Sequence, residues 1–166
     1  MNMTSQTIRF RLNGEEVVAD VEPRFHAIDF LRNTFELSSP RVGCEHGVCG
    51  ACSIRVNNRV IRGCLILGMQ LDGCTVETVE GLTVSGEIAD LQLAFHERNA
   101  MQCGFCTSGM LMASQEWLCS ASTCSREAIR EHLSGNYCRC TGYEAIVDAV
   151  EKVALNRGLK LAPEDL

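Results

Sequence analysis

Residues 42–53, VGCEHGVCGACS, decide the reading of this chain. Cys44, Cys49 and Cys52 stand there at C-x4-C-x2-C spacing, and Cys64 follows a short distance on. Gly43, Gly47 and Gly50 interleave with the cysteines. Four thiolates from one tight loop and the strand after it can grip a compact, negatively charged group. The glycines supply the unusual dihedrals and close approach that bring backbone N–H groups to its sulfurs. Turn-making alone does not explain why four cysteines take this spacing. His46 lies inside the loop, but four thiolates already complete a site, so it reads as a solvated or hydrogen-bonded histidine.

The spacing is that of plant-type [2Fe–2S] ferredoxins. A second quartet, Cys103, Cys106, Cys138 and Cys140, is a CxxC that a distant C-x-C must close. Two quartets in 166 residues suggest two clusters and an electron wire rather than a catalyst. The second quartet is less diagnostic, because tetrahedral zinc also uses CxxC pairs. The 50 residues between Cys52 and Cys103 do not match the ~15–20 of a zinc ribbon. Zinc therefore stays open for the second quartet only. Cys103 and Cys106 fall at the start of one expected helix, and Cys138 and Cys140 just before another. Two helix N-termini converging on an anion would stabilise it. Cys74, Cys119 and Cys124 lie outside both quartets, and most of them read as small buried hydrophobes, a Cys119–Cys124 redox pair having little support.

Composition is globular, 46% hydrophobic and 22% charged. The N-terminus, MNMTSQTIRFRL, carries no apolar core of a leader, and no uninterrupted apolar run approaches the ~20 residues of a membrane span. A soluble, cytoplasmic protein is expected, in which eleven cysteines point to metal or redox ligation rather than disulfides. The net charge of −6 and scattered basic residues argue against nucleic acid.

Residues 7–12 and 15–21 alternate by side about Asn13-Gly14, a strong hairpin signal. Ala27, Ile28, Leu31 and Phe35 share a helical face. Strands are expected at 53–56, at 59–62 across Asn57-Asn58, and at 75–80. These make an α+β unit over residues 1–80, with 81–87 as linker. Helical periodicity fills 88–166: Ile88, Leu91 and Phe95; then Met110, Leu111, Ser114 and Leu118; then 126–133, capped by Ser125; then Ile146, Val147, Val150 and Val153. Thr141-Gly-Tyr-Glu144 has capping-box spacing for the last helix. Four short helices imply a small bundle.

The strings GCEHGVCGACSI and QCGFCTSGM…NYCRCTGYEAIVDAV closely resemble the small iron–sulfur subunit of the xanthine oxidase family of molybdenum hydroxylases, over about residues 7–155. The resemblance implies an N-terminal β-grasp, plant-type ferredoxin-like domain and a C-terminal all-α four-helix bundle domain, each with one [2Fe–2S] cluster. It implies a large partner subunit holding a molybdopterin dinucleotide and a medium subunit binding FAD, in a heterotrimer or its dimer. Electrons would pass from molybdenum to the C-terminal cluster, then the ferredoxin-like cluster, then flavin. Gln102 and Cys140 would lie against the pterin, Cys140 also being an iron ligand. Ser108 stands where the family commonly has proline, and CSASTCS (119–125) replaces a connector often richer in Asn and Pro. An N-heterocycle or related carbonyl compound is the expected substrate of the complex. A free-standing ferredoxin-like carrier and a zinc-stabilised interaction module are the competing readings. Arg139, between two ligands, either raises the local potential or is simply solvated.

Overall fold

The structure, a computed structural model, describes residues 5–162. Its first unit is built on two hairpins. Strands β1 (Gln6–Leu12) and β2 (Glu15–Val21) pair antiparallel around Asn13 and Gly14, at φ 51° and 94°. Strands β3 (Ser53–Val56) and β4 (Arg59–Arg62) turn at Asn57 and Asn58, at φ 48° and 65°. Positive φ at both turn positions matches the right-handed twist of the flanking strands. Strand β5 (Thr75–Glu77) joins the hairpins, parallel to β1 and antiparallel to β3, in a sheet ordered β2-β1-β5-β3-β4. Helix α1 (Ala27–Phe35) buries Ala27, Ile28, Phe30 and Leu31. Phe10 from β1 and Phe30 both meet Phe35 edge-on, at 5.7 and 5.5 Å between ring centroids, a geometry that aromatic quadrupoles favour.

The strand expected over 75–80 is shorter, and the linker expected at 81–87 is not free chain. Asn13 Oδ1 accepts the Thr78 amide at 2.8 Å, which ends β5, and helix α2 (Val79–Val84) begins at once. Leu82 of α2 is buried in the second core. Glu80 in its first turn accepts the Ser38 and Ser39 amides at 3.0 and 2.8 Å and the Thr78 hydroxyl at 2.6 Å. Burial opposes its charge, but the Ser39 hydroxyl, which also donates to it, together with the Thr78 hydroxyl and the Ser39 amide holds its carboxyl below the usual range. Glu80 thus anchors the segment that leads into the first cysteine loop.

The second unit contains α3 (Ala89–Glu97), α4 (Thr107–Ser120), α5 (Arg126–Leu133) and α6 (Glu144–Asn156) around a core that includes Leu91, Phe95, Met110, Ile129, Ile146 and Val150. The four longer helices are those the periodicity indicates. The Ser125 hydroxyl accepts the Ala128 amide at 3.0 Å, as a cap should. The Thr141 capping box does not form. Helix α6 starts only at Glu144 after Tyr143 at φ 69°, and the Thr141 hydroxyl is turned toward Cys138. Strands β6 (Thr123–Cys124) and β7 (Lys160–Leu161) tie the 119–125 connector to the chain end. No helix among the described residues is long and apolar enough to cross a membrane.

Polar side chains clamp the units together. Arg55 of β3 holds Glu87 with two parallel bonds, 2.6 and 2.8 Å, and Glu77 at 2.7 Å. Glu87 also accepts from Gln115 of α4, and Arg157 bonds both Gln115 and Asp90. Glu116 accepts the Val60 amide from β4. The bond from Arg55 is the main reason that the Glu87 carboxyl lies below its ordinary value of 4.5, with burial opposing. A depressed carboxyl contributes stability above its unfolded value and loses it as pH falls through the folded one. Glu87→Gln should therefore cost about 1 kcal/mol near neutrality, and the gap to wild type should narrow as pH falls below 4.5. Paired thermal melts from pH 7 to 4 check both; a gap that widens on acidification contradicts the clamp.

Candidate metal centres

The first quartet sits on the loop between α1 and β3 and at the end of the β4 segment. Its inner wall is dry: Cys52 and Cys64 are buried with Ile28, and Val42 packs on them. The Gly63 amide donates to the Cys52 carbonyl at 3.1 Å, and the Ile28 amide to Gly63 at 3.2 Å, so loop and strand are stitched together. The Cys44 and Cys49 thiols lie close enough to act on each other's charge, as do Cys52 and Cys64, and the charge of Cys44 is felt at Cys64. The amides of His46 and Cys49, with that of Val48, hold the Cys44 thiol down to about 6. Burial, then the neighbouring Cys52, pushes Cys64 up to about 11 although the Gly47 amide opposes. His46 is exposed, its ring against the Cys44 carbonyl, which keeps it away from a ligand role.

The second quartet closes as its spacing requires. Cys103 and Cys140 stand 3.6 Å apart through sulfur, and Cys106 and Cys138 lie close enough to act on each other's charge. Gln102 Nε2 donates to the Cys140 carbonyl at 3.0 Å, bracing one cysteine arm against the other. Burial, then Cys138, pushes the Cys106 thiol up to about 12. Cys138 moves the other way: the Thr141 hydroxyl and the amides of Thr141 and Cys140 overcome its burial. Cys106 immediately precedes α4 without a side-chain capping bond, and α6 begins four residues after Cys140. The donors to sulfur are thus loop groups, including the Phe105 amide to Cys103, rather than two convergent helix ends.

Both quartets fit a two-iron group. The sulfurs sit in pairs. Two thiolates sharing a tetrahedral metal at ~2.3 Å stand about 3.7 Å apart, close to the Cys103–Cys140 spacing. Backbone donors aimed at the sulfurs suit thiolates that carry net negative charge.

The remaining cysteines divide. Cys124 is buried in the second core, Cys74 is half-buried beside Asn57, and Cys119 is exposed, against the expectation of burial. None of the eleven is in a disulfide. Arg139 is exposed.

The two quartets are joined by backbone. The Tyr137 amide, next to Cys138, donates to the Cys49 carbonyl at 2.9 Å. Arg62 of β4 reaches the Gly135 carbonyl at 2.8 Å and Asn136 Oδ1 at 3.1 Å. Gly50 and Gly109 meet with no room for a side chain: a Cβ on Gly109 would lie 2.2 Å from the Gly50 carbonyl. A Cβ on Gly50 would lie 2.6 Å from the Asn136 side chain and 2.8 Å from the Gly135 carbonyl, at φ +73°. Nothing in the cysteine spacing signals Arg62, Asn136 or Tyr137; Gly109 inside a helix pattern was the one available hint. Gly50→Ala should cost about 1–3 kcal/mol, read as a lower melting temperature. An unchanged melt contradicts the contact.

Two family models match in tandem, "2Fe-2S iron-sulfur cluster binding domain" over residues 10–73 and "[2Fe-2S] binding domain" over 78–151. Both name the two-iron cluster, which sets zinc aside for the second quartet. The chain is 44% identical over 155 residues to caffeine dehydrogenase subunit gamma of Pseudomonas sp. strain CBB1, covering 92% of this chain and 93% of the relative. It is 46% identical over 143 residues to the nicotine 6-hydroxylase small subunit of Paenarthrobacter nicotinovorans, covering 86% of each. The solved quinoline 2-oxidoreductase of Pseudomonas putida 86 contains a chain that superposes with a TM-score of 0.87 at 43% identity, over 93% of this chain and 98% of that one. With likeness of this extent through both cysteine quartets, the chain belongs to the small iron–sulfur subunits of the xanthine oxidase family of molybdenum hydroxylases.

Proposed function

We propose that Cys44, Cys49, Cys52 and Cys64 hold one [2Fe–2S] cluster and Cys103, Cys106, Cys138 and Cys140 the other, and that the chain relays single electrons between two partner subunits. When bound, each cluster supplies a one-electron store. The chain's own residues do the rest. The thiolates fix the two stores in place, the loop amides offset their charge, and the Gly50–Gly109 contact holds them near each other. The observation that carries the reading is the Tyr137 amide bonded to the Cys49 carbonyl, a direct backbone bridge between an arm of each quartet.

The partners are a large subunit with a molybdopterin dinucleotide, where substrate reacts, and a medium subunit with FAD, in a cytoplasmic heterotrimer or its dimer. The second quartet faces the molybdenum side. Cys103, Cys140 and Gln102 are exposed there, leaving that edge open to a partner, with Gln102 and Cys140 against the pterin. The first quartet lies toward flavin. In this reading residues 1–80 are a β-grasp domain and the four longer helices of 88–166 a four-helix bundle, with 81–87 connecting them. Relatives named for nicotine and caffeine, and a neighbour named for quinoline, favour an N-heterocycle as substrate of the complex.

Cys106→Ser in the assembled complex is the test. Iron content and electron paramagnetic resonance should show the loss of one cluster. Substrate should still reduce molybdenum, while flavin reduction falls at least 100-fold in rate, about 3 kcal/mol of barrier. Flavin reduced at the wild-type rate after loss of that cluster contradicts the relay.

A further inference from the structure

The loop 138–143 closes a ring of hydrogen bonds around one sulfur. The Cys138 amide donates to the Tyr143 hydroxyl at 2.9 Å. The Tyr143 amide donates to the Thr141 hydroxyl at 3.2 Å. That hydroxyl is 3.1 Å from Cys138 Sγ, and the Thr141 amide is 3.4 Å from the same sulfur. A hydroxyl has one hydrogen to give. With a lone pair occupied by the Tyr143 amide, its hydrogen is left for the sulfur. Gly142 and Tyr143 both take positive φ, 66° and 69°, so the chain doubles back here. Left-handed backbone at a tyrosine is uncommon and is kept only where its surroundings hold it.

Among the described residues Thr141 is the one side-chain hydroxyl that reaches a sulfur of either quartet. The sulfurs of the first quartet receive backbone amides and neighbouring thiols. The two sites thus differ in kind. Hydrogen bonds to cluster sulfurs are among the factors that set the potential, since a donor offsets the negative charge that one-electron reduction adds. We propose that the Thr141 hydroxyl is a positioning residue that raises the reduction potential of the C-terminal cluster selectively, through its bond to Cys138. The Tyr143 amide and hydroxyl aim it. This rests on the assignment of Cys138 as an iron ligand.

The test is a redox titration of the assembled complex followed by electron paramagnetic resonance, for wild type, Thr141→Val, Thr141→Ala and Thr141→Ser. Valine keeps the shape and removes the donor; alanine removes it without adding a methyl. In both, the signal of one cluster should titrate lower, with its reduced-to-oxidised ratio at a fixed potential down about three- to tenfold. The tenfold limit corresponds to ~59 mV for one electron. The other signal should stay at its wild-type potential, and serine should restore the first. A loaded valine or alanine variant with both potentials unmoved overturns the proposal, as does an equal shift of both signals or a serine variant that behaves like valine. Cys138→Ser separates the two ideas. Two full signals there mean that the ligand assignment has failed and the proposal with it. One lost signal there, with unmoved potentials in the Thr141 variants, sinks the role of the hydroxyl alone.

Discussion

The arrangement depends on a contact in which two glycines meet where no side chain fits. Gly50 lies between Cys49 and Cys52 of the first quartet, and Gly109 lies in the first turn of the helix that follows Cys106. The Gly50 carbonyl occupies the place where a Cβ of residue 109 would stand. Because this packing is backbone against backbone, it has little freedom to relax. Asn136, Arg62 and the Tyr137 amide extend it, so the loop carrying Cys138 and Cys140 is registered on the loop carrying Cys49 and Cys52. Away from this seam, Arg55, Glu87, Gln115 and Arg157 keep the sheet and helices from hinging open.

The two quartets are built differently around the same side chain. In the first, a glycine-rich loop turns its own amides onto Cys44, whose thiol is held down to about 6. In the second, half-buried Cys106 is pushed up to about 12, and the compensating donors gather on Cys138. Burial makes negative charge costly and donors offset that cost. Where each donor sits therefore distributes charge over the four sulfurs.

Much of this was legible in the sequence. Asn13-Gly14 and Asn57-Asn58 announce their turns because few residues tolerate positive φ, and the helix faces follow from Leu91 with Phe95 and from Ile146 with Val150. The grouping of the eight cysteines into two quartets is legible because four thiols that gather at one place need close spacing on at least one side. What is missing from the sequence is tertiary. The register of Gly109 on Gly50 joins residues far apart in the chain. Thr141 looks like a helix cap by spacing, yet its hydroxyl serves a sulfur instead, since Tyr143 delays the helix. The first half of the stretch read as a linker, residues 81–84, is helical because Leu82 has a core to enter, which polarity and glycine content alone do not reveal.

The most direct test of the glycine contact is the magnetic interaction between the two reduced clusters, measured by electron paramagnetic resonance in the assembled complex. Dipolar coupling falls steeply with separation and so reports the gap itself. Wild type should show spin–spin splitting, and Gly109→Ala, with both clusters loaded, should show it weakened. Splitting of equal size in the two proteins contradicts the claim that this contact sets the distance the electron must cross.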